Sequence, residues 1–221
     1  MFKKIFLLGA ISTVLSVCST NAAIYALFNA ANGFGPPSDT LWANPNGSLM
    51  DGTGFVTMGY FGASIVDADI DTIPELVSQL AGFTQLQTST PNVSDIWTLF
   101  TEPGYIGNDN NDTANITSGN PLLGRRLYCI ASNAASVAVA NATHGFSVFL
   151  IDTIKDDSAV ENTYVANPSG VIPILGTISS ISHTSTNFGS GTYTTLVMVP
   201  EPSAILLGAF GALGLLRRRR N

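Results

Sequence analysis

Basic residues, cysteines and catalytic signatures are what this chain of 221 residues has least of. Of its 9 lysines and arginines, Lys3, Lys4, Arg217, Arg218, Arg219 and Arg220 stand at the termini, which leaves only Arg125, Arg126 and Lys155 between them. Set against 15 Asp and Glu, with Glu201 near the C-terminus included, these three cations give the interior a net charge of about −12. A field of that sign repels phosphate backbones and anionic headgroups, so nucleic acid is not an expected partner. Solubility, repulsion between copies and uptake of divalent cations are the uses such a charge suits. The two cysteines cannot form a disulfide framework: Cys18 directly follows an N-terminal apolar run, and Cys129 stands alone in Leu127-Tyr128-Cys129-Ile130-Ala131. A single thiol in such a run reads as a small buried hydrophobe.

Chemistry is equally sparse. His144 and His183 have no Gly-x-Ser-x-Gly nucleophile beside them, no His-x-x-x-His zinc spacing and no neighbouring catalytic cysteine. Carboxylates are plentiful, but no spacing marks a glycosidase pair, and no glycine-rich loop could cradle a phosphate. The expectation is a protein without catalytic residues or cofactor. Asn-x-Ser/Thr triplets occur at Asn46, Asn92, Asn111, Asn115 and Asn141, close to chance in a chain rich in Ser and Thr. Long apolar runs are missing too, and the longest stretches, at residues 5–17 and 204–216, are both short of a full membrane span.

What is present is concentrated at the two ends. Met1-Phe2-Lys3-Lys4, the apolar run and then Ser19-Thr20-Asn21-Ala22-Ala23 give the basic head, apolar middle and small-residue site of a secretory signal, cut after Ala22 with Ala23 as the next choice. Lipidation at Cys18 fits less well, because Val17 occupies the position where a small residue is wanted. At the other end, Val199-Pro200-Glu201-Pro202-Ser203 breaks any preceding structure with two prolines and offers Ser203 as a helix cap. The 13 residues 204–216 carry no polar side chain, and Arg217, Arg218, Arg219 and Arg220 close them. Arginine on one flank keeps that flank cytoplasmic, so the segment should insert N-outside, C-inside. At about 1.5 Å per residue it spans roughly 20 Å against a hydrocarbon core of about 30 Å. It is a brief transmembrane helix, completed by residues 195–199 and snorkelling arginines, or a transient one that an enzyme removes.

Pro200-Glu201-Pro202, the apolar stretch and the terminal arginines, in this order and spacing, resemble the PEP-CTERM sorting signal of Gram-negative surface proteins. The resemblance implies secretion by the general route, a brief stay in the inner membrane, processing by an exosortase, and association with extracellular polysaccharide and biofilm. It names partners only for that traffic, signal peptidase and exosortase, with exopolysaccharide as the implied surroundings. Three segments follow: a signal peptide at 1–22, an acidic ectodomain at 23–198 and a sorting signal at 199–221.

The ectodomain has all-β texture, β-sandwich-like, with one short helix. Short runs rich in Val, Ile, Thr, Phe and Tyr are broken by Gly, Asn, Pro and Asp. Strands are expected at 24–29, 54–62, 96–100, 126–131, 146–151, 171–178 and 193–198, with a turn at Asn44-Pro45-Asn46-Gly47. The segment 54–62 alternates Phe55, Thr57, Gly59 and Phe61 against Val56, Met58 and Tyr60, so at least one face is apolar. A helix is predicted at 73–81: Thr72 and Glu75 form a capping box, Pro74 sits in the first turn, Ile73, Leu76, Val77 and Leu80 follow helical spacing, and Gly82 ends it. Its stripe should cover an edge or end of the sandwich. Residues 49–61, Leu80-Ala81-Gly82-Phe83 and Gly124-Arg125-Arg126-Leu127-Tyr128 are similar to short ectodomains found ahead of such tails, which carry no activity to transfer.

Two acidic clusters remain. Asp67-Ala68-Asp69-Ile70-Asp71 opens like a calcium loop, but the EF-hand pattern wants Gly and Glu where Thr72 and Ser78 stand, so a solvated approach to the helix is the plainer reading. Residues 107–113 are loop-like, and Asn and Asp are what turns are made of. Trp42 and Trp97, with Tyr60, Tyr105 and Tyr128, could stack sugars or fill the core. Three functions are therefore expected in order: a non-enzymatic surface or matrix protein, a carbohydrate-binding or carbohydrate-active ectodomain, and a permanently anchored envelope protein.

Overall fold

The computed structural model describes residues 23–26, 40–89, 112–114, 119–156, 163–165, 170–185 and 189–200. The expected strand at 96–100 lies outside them, as do the expected signal peptide at 1–22 and everything from Glu201 onward. Among the described residues the chain runs β1 Ala23–Ala26, β2 Thr40–Ala43, β3 Phe55–Tyr60, α1 Ile73–Gln79, β4 Thr84–Ser89, β5 Asp112–Ala114, β6 Arg126–Ser132, β7 Phe146–Thr153, β8 Thr163–Val165, β9 Ile172–Leu175, β10 Thr177–Ser185 and β11 Gly189–Val197. The protein is mostly β with one short helix. Its largest sheet has the order β4-β3-β6-β7-β9, a second has β10-β11-β2, and a third has β5-β1-β8.

The five-stranded sheet is apolar on both faces, which explains why its inner strands read as almost unbroken hydrophobic runs. Side chains alternate along a strand. Val56, Met58, Leu127, Cys129, Ala131 and Phe149 therefore point one way, into a layer completed by Trp42 of β2 and Leu196 of β11. Trp42 meets Phe149 edge-on, with ring centroids 6.0 Å apart. Phe55, Tyr128, Ile130, Phe146 and Val148 point the other way. That second face is where α1 lies: Ile73 and Leu76, with Leu80 of the following 3-10 turn, pack with Phe61 and Phe83. The helix thus covers a face rather than the expected edge or end, because the outward residues of β3, β6 and β7 are as apolar as the inward ones and need cover.

Local chemistry fixes α1 much as expected. Thr72 is the N-cap, its hydroxyl accepting from Glu75 N at 3.4 Å. The capping box is only half formed, since the Glu75 carboxylate takes the Thr72 hydroxyl at 2.6 Å instead of the Thr72 backbone N–H. The helix stops at Gln79, two residues early, and a 3-10 turn Leu80–Gly82 completes it.

One expected strand proves to be two. The run 171–178 breaks at Gly176, whose φ is +102°, so β9 stays in the large sheet while β10 crosses to the small one. A Cβ at Gly176 would stand 2.7 Å from the Val197 carbonyl oxygen and 2.8 Å from Ser147 Cβ. This glycine joins the two sheets at a corner that no other residue enters without strain. The Ser- and Thr-rich β10 lies at the sheet edge with most of its side chains exposed, which is why its sequence carries little strand signal.

Gly176→Ala should lower the unfolding free energy by about 2–4 kcal/mol, from positive-φ strain and overpacking together. Gly82→Ala, whose Cβ would meet nothing within 4 Å, should stay within about 0.5 kcal/mol. Urea titration of both proteins checks the contrast, and equal stabilities would contradict the corner.

Candidate functional site

The candidate site is the place where the sorting tail leaves the folded body. β11 pairs in parallel with β2, and the next backbone groups are also held: Met198 N donates to Ala43 O at 3.1 Å, Val199 N to Phe146 O at 2.8 Å, and Phe146 N to Val199 O at 3.2 Å. Met198 is buried, and Val199 packs against the helix-side core. The tail therefore starts without a linker. Pro200 is exposed and borders an open cavity of about 330 Å³ with Asn44, Pro45, Asn46, Asn133, Thr143 and Gly145. Of the expected sorting residues only Pro200 is described; Glu201, Pro202, Arg217, Arg218, Arg219 and Arg220 lie outside the described residues, as does Ala22.

The rim around Pro200 holds its own shape. In the expected 44–47 turn, Gly47 N donates to Asn44 O at 2.9 Å, and Asn46 Oδ1 accepts from Ser48 N at 2.9 Å and Ser48 Oγ at 2.7 Å. Across the cavity, Asn133 Oδ1 accepts from Gly145 N at 2.9 Å, and Ser132 Oγ, fully buried, donates to Gly145 O at 2.9 Å. Asn141 Oδ1 binds both Thr143 N and Thr143 Oγ1. Sequence reasoning marked only the 44–47 turn here. The available signal was charge: residues 40–50 and 127–151 contain no Asp, Glu, Lys or Arg in an otherwise acidic chain.

The carboxylates considered for calcium are engaged elsewhere. Asp67 and Asp69 lie in a 3-10 turn Asp67–Asp69. Asp67 Oδ2 pairs with Arg126 Nη2 at 2.5 Å, and its Oδ1 accepts from Tyr128 OH at 3.0 Å. Burial, with the Asp67 carboxylate as acceptor, pushes the Tyr128 phenol well above its ordinary range, so it stays a donor. Asp69 Oδ2 accepts from Val66 N at 2.9 Å. Asp71 is exposed and turned to Glu75, whose hydrogen bond raises the Asp71 pKa. Among the described residues no group of three His, Cys, Asp or Glu is placed to hold a metal ion.

Beside Asp67, a cavity of about 190 Å³ is lined by Phe61, Val66, Arg125, Arg126 and Tyr128, among others. Arg125 is oriented by two backbone carbonyls, those of Pro121 and Phe61, and lies over the Tyr60 ring at 5.9 Å. These contacts fasten the 120–125 turn to β3. Of the possible sugar-stacking aromatics, Trp42 and Tyr128 are core residues, Tyr60 is half-buried, and Trp97 and Tyr105 lie outside the described residues. Cys129 is fully buried, as expected, and burial pushes its thiol far above the usual range.

Residues 199–220 match the PEP-CTERM protein-sorting motif. No curated protein and no solved structure matches the chain. The motif marks the chain as an exosortase target exported toward the cell surface. Among the described residues no helix is long and apolar enough to cross a membrane.

Tyr128→Phe removes one bond to Asp67 and should cost about 1 kcal/mol in a denaturant titration; unchanged stability would mean that the bond contributes nothing. Adding a chelator to the purified protein should leave the melting temperature unmoved within about 1 °C, since only a ligand bound to the native state raises it. A large fall would place a cation at the Asp67, Asp69 and Asp71 cluster.

Proposed function

We propose that this is a secreted surface or extracellular-matrix protein of the exopolysaccharide and biofilm environment, with a β-sandwich-like ectodomain and no catalytic activity. Residues 1–22 direct export and are removed by signal peptidase after Ala22. The tail then enters the inner membrane N-outside, held by Arg217, Arg218, Arg219 and Arg220 against the cytoplasmic face. A span of roughly 20 Å is too brief to hold the cargo permanently, and Pro200-Glu201-Pro202 presents an extended, proline-stiffened peptide to the exosortase. Cleavage there frees the acidic domain to the surface, where its charge keeps copies apart.

The observation that carries this reading is the sorting-motif match at 199–220, with Val199 already fixed to the folded body at Phe146. The handle is continuous with the cargo: Val199 is bridged to Phe146, and Pro200 next to it is exposed. Permanent anchoring is the competing outcome. Replacing Pro200, Glu201 and Pro202 by alanine should leave a full-size protein in the inner membrane, whereas unchanged trafficking and unchanged final size would contradict the proposal. Immunoblots of membrane, surface and medium fractions distinguish the two.

A further inference from the structure

On the large sheet, charged side chains gather at one end of the strands. At one end, where β6 begins and β7 finishes, stand Arg126, Asp67 bonded to it, Asp69 of the same 3-10 turn, Asp152 and Lys155, while Glu75 rides on α1 over the helix-side face. At the other end, Ser132 pairs with Phe146 and with Phe55, and Val199 closes onto Phe146. The loops here, 44–48 and 133–145, contain no Asp, Glu, Lys or Arg, and no charged side chain lines the cavity beside Pro200. Asp51, in the turn leading into β3, is the one described acid attached to this end. Val139 of the same 133–145 loop is an exposed apolar residue, at 55%.

Distance makes this division matter. Between Pro200 and the apolar run starting at Ala204 lie so few residues that the body cannot stand more than about 14 Å from the inserted segment. That is less than two Debye lengths at physiological salt, about 8 Å each. Beyond Glu201 of the motif itself, carboxylates placed on the body there would face anionic headgroups at close range. The seven residues of β6, at about 3.3 Å each, carry the carboxylates of the charged end roughly 20 Å further out, where screening removes most of the repulsion.

We propose that the uncharged rim formed by Asn44, Pro45, Asn46, Asn133, Thr143 and Gly145 is the face that the domain turns to the anionic bilayer surface while the tail is inserted. The charged end, with Asp67, Arg126, Asp152 and Lys155, then points away from the membrane. This rests on the tail being a membrane segment, as in the proposed function, and adds the orientation of the cargo. The rim's amide and hydroxyl groups suit hydrated headgroups, and its internally bonded loops need no rearrangement to meet them.

The test uses the full chain carrying Cys18→Ser, in vesicles of phosphatidylethanolamine and phosphatidylglycerol that include a lipid with a quencher on its headgroup. One protein carries a fluorophore at Thr143→Cys on the rim, another at Thr153→Cys at the far end of β7; the buried Cys129 stays unlabelled. With both proteins floating with the vesicles, quenching at 143 should exceed that at 153 several-fold. Equal quenching in floated vesicles would overturn the orientation while leaving insertion intact, and failure to float would overturn both. Asn46→Asp with Asn133→Asp keeps each Oδ acceptor but charges the rim. This pair should reduce quenching at 143 in low salt and recover it in high salt; no change would overturn the electrostatic basis.

Discussion

The structure depends on one constraint: β3, β6 and β7 are buried on both faces. A sheet with two apolar faces needs two covers, and the rest of the described chain supplies them. β2 and β11 bring Trp42 and Leu196 to one side, and α1 brings Ile73 and Leu76 to the other. Thr57, Ser132 and Ser147 are fully buried within this slab. Among the described residues the Ser147 hydroxyl has no hydrogen-bond partner, a cost the packing around it absorbs.

The same constraint fixes how the tail begins. β11 is the middle strand of the small sheet, so its direction is set on both sides before the chain reaches Met198. The bridge from Val199 to Phe146 then ties the first residue of the sorting motif to the large sheet. The body and its handle share backbone hydrogen bonds, and Pro200 is the first residue to face solvent beside a preformed cavity. On the proposal that the tail enters a membrane, a junction this direct would pass the membrane's position on to the domain.

Much of the fold was legible where a local rule acts alone. Thr72 and Pro74 start the helix because capping is a short-range effect, Gly82 ends only the 3-10 turn that follows it, and the runs at Leu127 and Phe146 announce strands because both of their faces are apolar. Legibility failed where a single residue or a partner decides. Gly176 splits a continuous apolar run by its positive φ, β10 pairs despite its serines because β11 lies beside it, and the four-residue β2 is held by β11 rather than by its own propensity. At the site, the prolines, the apolar run and the arginines were readable because the sorting signal is linear. The rim was not, because Asn46 and Asn133 are brought together only by the register of β3 on β6 and the path of β2. The partners of the Asp67 cluster were hidden for a related reason: its spacing only resembles a cation loop, and the fold gives its first carboxylate to Arg126 and Tyr128.

In the proposed function, the C-terminal segment is a handle to be cut and not an anchor to be kept. Intact mass of the protein recovered from the native host's envelope and medium tests this most directly. The account predicts a mature chain that has lost residues 1–22 and everything beyond about Pro202. A mature chain that retains Arg217, Arg218, Arg219 and Arg220 would contradict it.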